Sequence, residues 1–149
     1  NVGNVEWMSA KVGDGETEPG DGGNPYAICS YKLTADIDYA GLDVNAHKPI
    51  GTFDKKFLGV FDGDGYSIKN MKLDQPTRPK PNEDGIGFFG CVRVGNEVLH
   101  DAVIKNLTID SSCEVKGSSA YVAGLLARIH QRTGSNTLLI ENCVNKTKR

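Results

Sequence analysis

One phrase recurs along this chain, and it limits the possible folds more than any other feature. Ile68-Lys69-Asn70-Met71-Lys72-Leu73-Asp74 returns as Ile104-Lys105-Asn106-Leu107-Thr108-Ile109-Asp110, and a looser third copy reads Ile140-Glu141-Asn142-Cys143-Val144-Asn145. The Ile and the Asn each recur at a spacing of 36. Between the copies, Gly87-Phe88-Phe89-Gly90-Cys91-Val92 and Gly124-Leu125-Leu126-Ala127-Arg128-Ile129 are displaced by 37, so the period absorbs one small insertion. A fixed period of this size marks stacked units, none of which can bury its apolar face alone.

In the second copy Ile104, Leu107 and Ile109 point inward while Lys105 and Thr108 point outward. This is the two-residue alternation of a strand, bent once at Asn106. The matching inward residues are Ile68, Met71 and Leu73 in the first copy and Ile140 and Cys143 in the third. Asn suits the bend because it tolerates left-handed backbone, and its amide can stack on the amide of a neighbouring copy at about 4.8 Å. Asn70, Asn106 and Asn142 are therefore assigned to one structural ladder. Each repeat supplies a strand, a bend, a second strand and a third strand near Gly87 or Gly124, and successive copies pair in parallel through right-handed crossovers. The predicted fold is all-β, a right-handed parallel β-helix (solenoid) of about three coils with an N-terminal cap region. Leucine-rich repeats share the opening Ile104-x-x-Leu107-x-Ile109, but their Asn would fall at Ser112, and their period is roughly 20 to 29. Helical repeats need a 3.6-residue periodicity that is absent here.

At 149 residues the chain has the length of one domain. Its 18 glycines, among many Val, Ile, Thr, Asn and Asp, suit strands and tight turns. We divide it into a loop and cap over 1–25, N-terminal strands over 26–67 and repeat coils over 68–149. KVGDGETEPGDGGNP (11–25) reads as a loop, residues 1–58 as at least part of the cap, and Gln75 to Gly85, with Pro76, Pro79 and Pro81, as a loop protruding from the first coil. The third copy is cut short, which predicts that the natural protein continues. A net charge of -2 argues against a nucleic-acid partner, because the one basic cluster is Lys146, Lys148 and Arg149. No apolar run reaches the length of a membrane span. Cys29, Cys91, Cys113 and Cys143 contain no C-x-x-C pair, and buried free thiols are the simplest reading, with three disulfide connectivities open.

The phrases YKLTADIDYAG, PIGTF, FLGVFDGDGYSIKNMKLD, GFFGCV, VIKNLTID, VAGLLARI and IENCVNK together resemble bacterial proteins built from the GLUG motif, over about Asn24 to Lys146. The resemblance implies a right-handed β-helix from secreted or surface-anchored proteins, often adhesin-like, and sometimes an accessory segment of IgA-specific metallopeptidases. Such proteins carry a short helical stretch between NPYAI and YKLTADID, whereas here Cys29 and Ser30 alone intervene.

Candidate chemistry is sparse. Asp62-Gly63-Asp64-Gly65 has two nearby carboxylates, yet a calcium loop counted from Asp62 would need Gly where Ser67 stands and Glu where Leu73 stands. Gly63 and Gly65 are instead expected to supply positive φ for a turn. Asp36 and Asp38 fail the same template. His47, His100 and His130 form no H-E-x-x-H pair, no G-x-S-x-G elbow is present, and Cys113 has no motif that would pair it with a base. Glu83, Asp84 and Asp101 are the acids a polysaccharide hydrolase or lyase would need, without a pattern that gathers them. Asn106-Leu107-Thr108 and Asn145-Lys146-Thr147 match the glycosylation sequon, the first at a position expected to face into the coil. Trp7, Tyr31, Tyr39 and Tyr121 are candidates for stacking on sugars or anchoring a protein. The sequence thus predicts no catalytic residue, cofactor or metal. It predicts a non-catalytic module, extracellular or on a bacterial cell surface, that binds a glycan or a host or cell-surface protein. The alternatives are a carbohydrate-active β-helix and a rigid spacer for a catalytic domain elsewhere.

Overall fold

The computed structural model describes residues 1–14, 24–94, 101–131, 134 and 137–148. The protein is β-rich, with short strands gathered in parallel sheets and little helix. One sheet runs in the order β1 (Ser30–Lys32), β3 (Val60–Asp62), β7 (Ala102–Lys105), β11 (Leu138–Glu141). A second comprises β2 (Ile37–Asp38), β4 (Ser67–Lys69), β8 (Thr108–Ile109) and β12 (Val144–Asn145). Two further sheets pair β5 (Lys72–Asp74) with β9 (Glu114–Lys116) and β6 (Phe89–Val94) with β10 (Leu126–Gln131). From β3 onward the chain enters these four sheets in one repeating order.

The register carries the period seen in the sequence. Ile104 pairs with Ile140 and Thr108 with Val144, a spacing of 36, and Phe89 pairs with Leu126, a spacing of 37. The first copy of the phrase is placed differently. Ile68 pairs with Ile109, and it is Phe61 that pairs with Ile104. The phrase 68–74 occupies β4 and β5, whereas 104–110 occupies β7 and β8, so the first copy is shifted on by one strand. Val60–Asp62 already fills the place beside β7, and β4, β5 and β7 share one inward–outward alternation, so the same words fit either bend.

The core is continuous and draws on all four sheets. Phe61 (β3), Ile68 (β4), Leu73 (β5) and Phe89 (β6) join Phe57, Phe88, Met71, Leu107 and Ile109 in one buried cluster. Phe88, Phe89 and Phe61 pack edge to face with centroids 5.2 to 5.7 Å apart. Each fully buried ring contributes about 1.5–3 kcal/mol by leaving water, so this aromatic group is a substantial part of the core. Ile140 departs from its expected core role. It is 45% exposed because its strand, β11, has β7 on one side and, among the described residues, no strand on the other. Cys143 is likewise half-buried against the core.

The all-β expectation is corrected at the N-terminus by a helix, α1 (Val2–Asp14). Val5, Met8, Ser9 and Val12 recur at helical spacing and are buried. Lys11 to Asp14, expected in a loop, form its last turn, while 15–23 lie outside the described residues. Asn24 donates its amide to the carbonyls of Lys11 (2.6 Å) and Val12 (2.9 Å), closing α1. Its Oδ1 accepts from the N–H of Tyr26 and so opens α2 (Pro25–Ile28), with Pro25 in the first turn, where a missing N–H costs nothing.

The Gln75–Gly85 segment also departs from expectation, since it folds down instead of protruding. Asp84 is fully buried and accepts the N–H groups of Phe53 and Lys80. Arg78, 9% exposed, donates to the carbonyls of Gly51 and Pro49. Charged groups with no water around them must be paired this way, and here they fasten the loop to the 49–53 segment.

Candidate functional site: a groove between the helix and the first strands

Helix α1 does not lie flush on the sheets. Between it and the Tyr31–Ile37 segment runs a groove of about 320 Å³. Asn4, Trp7 and Met8 form the helical wall, Tyr31 and Thr34 the opposite one, and Leu33, Ile37 and Phe61 contribute apolar surface. Trp7 is 51% exposed and holds its ring edge-on to Tyr26 at 5.5 Å. Tyr31 donates its hydroxyl to the carbonyl of Tyr26 (2.7 Å) and tilts against Phe57, so the facing wall is fixed. Burial, followed by the neighbouring Cys29 and Tyr26, pushes the Tyr31 phenol up to about 12, which keeps it a donor. An apolar floor, a half-open indole and amides at the rim can hold the face of a ring while hydrogen-bonding its edge. Of the other aromatics named from sequence, Tyr39 is buried and Tyr121 is half-buried beneath the guanidinium of Arg128, 4.5 Å from its ring centroid.

The three Asn residues all have positive φ (Asn70 55°, Asn106 55°, Asn142 50°). Two of them share a column. Asn142 donates to Oδ1 of Asn106 (3.2 Å), and Asn106 donates to Oδ1 of Asp62 (3.0 Å). Asn70 stands at a different bend, donates to Asp38 (2.7 Å) and accepts no amide from Asn106, which corrects the single ladder. The displacement of the first copy by one strand is the reason.

Asp62 is a turn residue. Its Oδ1 also accepts the N–H of Asp64, and Asp38 and Asp110 hold the N–H of Ala40 and Ser112 in the same way. The Asn106 amide, with help from the Asp64 N–H, lowers the Asp62 carboxyl below its ordinary range. In the turn itself, positive φ falls on Asp64 (51°) and Gly65 (85°), not on Gly63. Asp-Gly is the pair that tolerates two such residues in succession.

Glu83, Asp84 and Asp101 serve separate places. Glu83 gives its carbonyl to Arg128, Asp84 is enclosed, and Asp101 accepts the N–H of Thr137 (2.7 Å). His47 is buried against Glu6, His130 packs edge-on to Phe53, and His100 lies outside the described residues, as does Arg149. Among the described residues no group of three His, Cys, Asp or Glu is placed to hold a metal ion. All four cysteines are free thiols; Cys91 and Cys113 are buried, and burial pushes Cys91 up to about 11. Asn106 of the first sequon is engaged on both sides in the column, whereas Asn145 is exposed and accepts from Thr147. No described helix is long and apolar enough to cross a membrane.

Sequence reasoning named Trp7 and Tyr31 but not the groove between them. The signal was present in the helical spacing of Val5, Met8 and Val12, which orients Trp7 away from the buried face.

Comparison with known proteins adds one similarity. No protein-family model matches the chain, and no solved structure does. Halomucin from Haloquadratum walsbyi (strain DSM 16790 / HBSQ001) is 31% identical over 105 residues, which make up 64% of this chain and 1% of that protein. The chain thus spans about a hundredth of the length of the curated relative it matches.

Proposed function

We propose that the protein is a non-catalytic β-helix module of a secreted or surface-anchored protein, of the GLUG-motif kind, and that it binds a glycan in the groove beside Trp7. The four parallel sheets are then the faces of one right-handed coil, with α1 closing its first turn. The repeating order in which the chain enters the sheets supports this reading, as do in-register pairs such as Ile104–Ile140. The groove carries the binding function: a half-exposed indole over an apolar floor, flanked by the Asn4 amide and Thr34, suits a sugar ring with its apolar face and polar edge. Asp84, the most buried acid named from sequence, spends both oxygens on backbone N–H groups, which favours binding over polysaccharide cleavage.

A glycan array followed by calorimetry on the best hit tests the proposal. Binding without turnover is expected, weakened about tenfold or more in Trp7→Ala and unchanged in Tyr121→Ala. Cleavage of the bound glycan, or binding indifferent to Trp7, would overturn it.

A further inference from the structure

Helix α1 carries one wall of the groove, and its opposite side is tied to the strands by a buried polar cluster. Glu6 Oε1 lies 2.7 Å from Nδ1 of His47 and accepts the Tyr39 hydroxyl at 2.7 Å, while Glu6 Oε2 accepts the N–H of Lys48 at 2.8 Å. The His47 ring is 1% exposed and stacks on Phe88 with centroids 4.8 Å apart. Its second nitrogen, Nε2, faces the carbonyl oxygen of Phe88 at 3.0 Å.

A carbonyl oxygen can only accept, so Nε2 carries a hydrogen. An ionised carboxylate can only accept, so Nδ1 carries one as well. The Tyr39 hydroxyl also lies 3.0 Å from Nδ1 and could donate to a bare nitrogen there, but Glu6 Oε1 at 2.7 Å would then face the same lone pair. With Glu6 ionised, the contacts to Glu6 and Phe88 are therefore satisfied together by the doubly protonated ring. The groups packed around it are Glu6 from α1, Tyr39 from the segment after β2 and Phe88 ahead of β6, with Cys113 near Tyr39. The ammonium of neighbouring Lys48 turns away to the carbonyl of Asn45. Glu6 is the anionic partner.

We propose that Glu6 and His47 form a proton-operated latch that holds α1 in place and thereby keeps the Trp7 groove formed. Loss of one ring proton leaves either the Glu6 carboxylate or the Phe88 carbonyl facing a bare nitrogen lone pair inside the protein. The helix then gives way more readily than the strands, because among the described residues its other hydrogen bonds to the rest of the chain are Ser9 Oγ to the Lys48 carbonyl and the two from the Asn24 amide. The effect on ligand binding rests on the groove reading; the latch itself does not.

Trp7 is the single tryptophan and sits on α1, so its emission reports on the helix. On the whole chain, ring-nitrogen shifts of His47, Trp7 emission and amide exchange of α1 are followed from about pH 5 to about pH 9. We expect both ring nitrogens to be protonated at the acid end. One coupled step should then release a ring proton, shift Trp7 emission and speed α1 exchange about tenfold, the change expected from losing one charge-assisted hydrogen bond. In Glu6→Gln the coupled step in Trp7 emission is lost. A ring that is neutral throughout, or one that titrates while α1 exchange stays constant, overturns the latch. If the Trp7 step is present but no glycan binds at any pH, the latch stands and the groove reading falls.

Discussion

Gly63 lies directly against the backbone of Asn106: a Cβ built on Gly63 would come within 2.4 Å of the Asn106 carbonyl oxygen and 2.8 Å of Leu107 Cα. The turn also donates two hydrogen bonds to the same segment, from the Gly63 N–H to the Lys105 carbonyl and from the Gly65 N–H to the Asn106 carbonyl. Close approach, not conformation, therefore demands glycine at 63.

The two turn glycines should accordingly respond differently. Gly65 has φ +85° and open space around it, so Gly65→Ala costs about 1 kcal/mol of backbone strain. Gly63→Ala must push backbone against backbone and costs about 2–3 kcal/mol. Urea unfolding of both variants checks the order, and equal losses would refute it.

Ile104 and Ile140 pair side by side in neighbouring strands but differ in cover, 0% against 45% exposed. Ile104→Ala should cost about 2–5 kcal/mol, and Ile140→Ala about 1 kcal/mol or less. Denaturant midpoints at unchanged slope measure both.

At Asn106 two contributions can be separated. Asn106→Gly keeps the positive φ and removes both amide bonds, at about 1–2 kcal/mol, while Asn106→Ala adds strain of about 1 kcal/mol. If Ala is tolerated as well as Gly, backbone conformation is not what selects Asn here.

Glu6 sets the acid limit of the α1 attachment. Burial works to raise its carboxyl, but bonds from His47, Tyr39 and the Lys48 N–H outweigh that and hold it below the ordinary 4.5. A carboxyl lowered on folding contributes stability that is complete above its unfolded value and is lost as pH falls through the folded one. Trp7 emission should therefore report loosening of α1 as the pH drops below about 4. Glu6→Gln should be less stable than the wild type by about 1–2 kcal/mol at neutral pH, with a flatter acid limb.

Much of this organisation is legible in the residues. The spacing of Ile104 to Ile140 and of Asn106 to Asn142 appears directly as strand register, because each residue pairs with its own counterpart. The first copy misled, since Ile68 and Ile104 satisfy the same alternation and nothing in that pattern states which sheet a strand joins. Asp62 could not be recognised as the carboxylate beneath Asn106, because the Asp-Gly turn that puts it there replaces the Asn bend instead of repeating it. Helix α1 was obscured by the glycine-rich stretch that follows it, although Val5, Met8 and Val12 mark its buried face. The Glu6–His47 contact joins residues 41 positions apart with no motif at either end, so only packing reveals it.

The column at Asp62, Asn106 and Asn142 also has a sense of direction. Each amide gives its N–H toward the same end, and that end is a carboxylate. The side-chain dipoles thus add head to tail toward a fixed negative terminus, as backbone dipoles do when an anion sits at the start of a helix. Asn142 offers its carbonyl oxygen at the other extremity, so any group seated there must bring a hydrogen, and an acidic side chain in that place would be repelled.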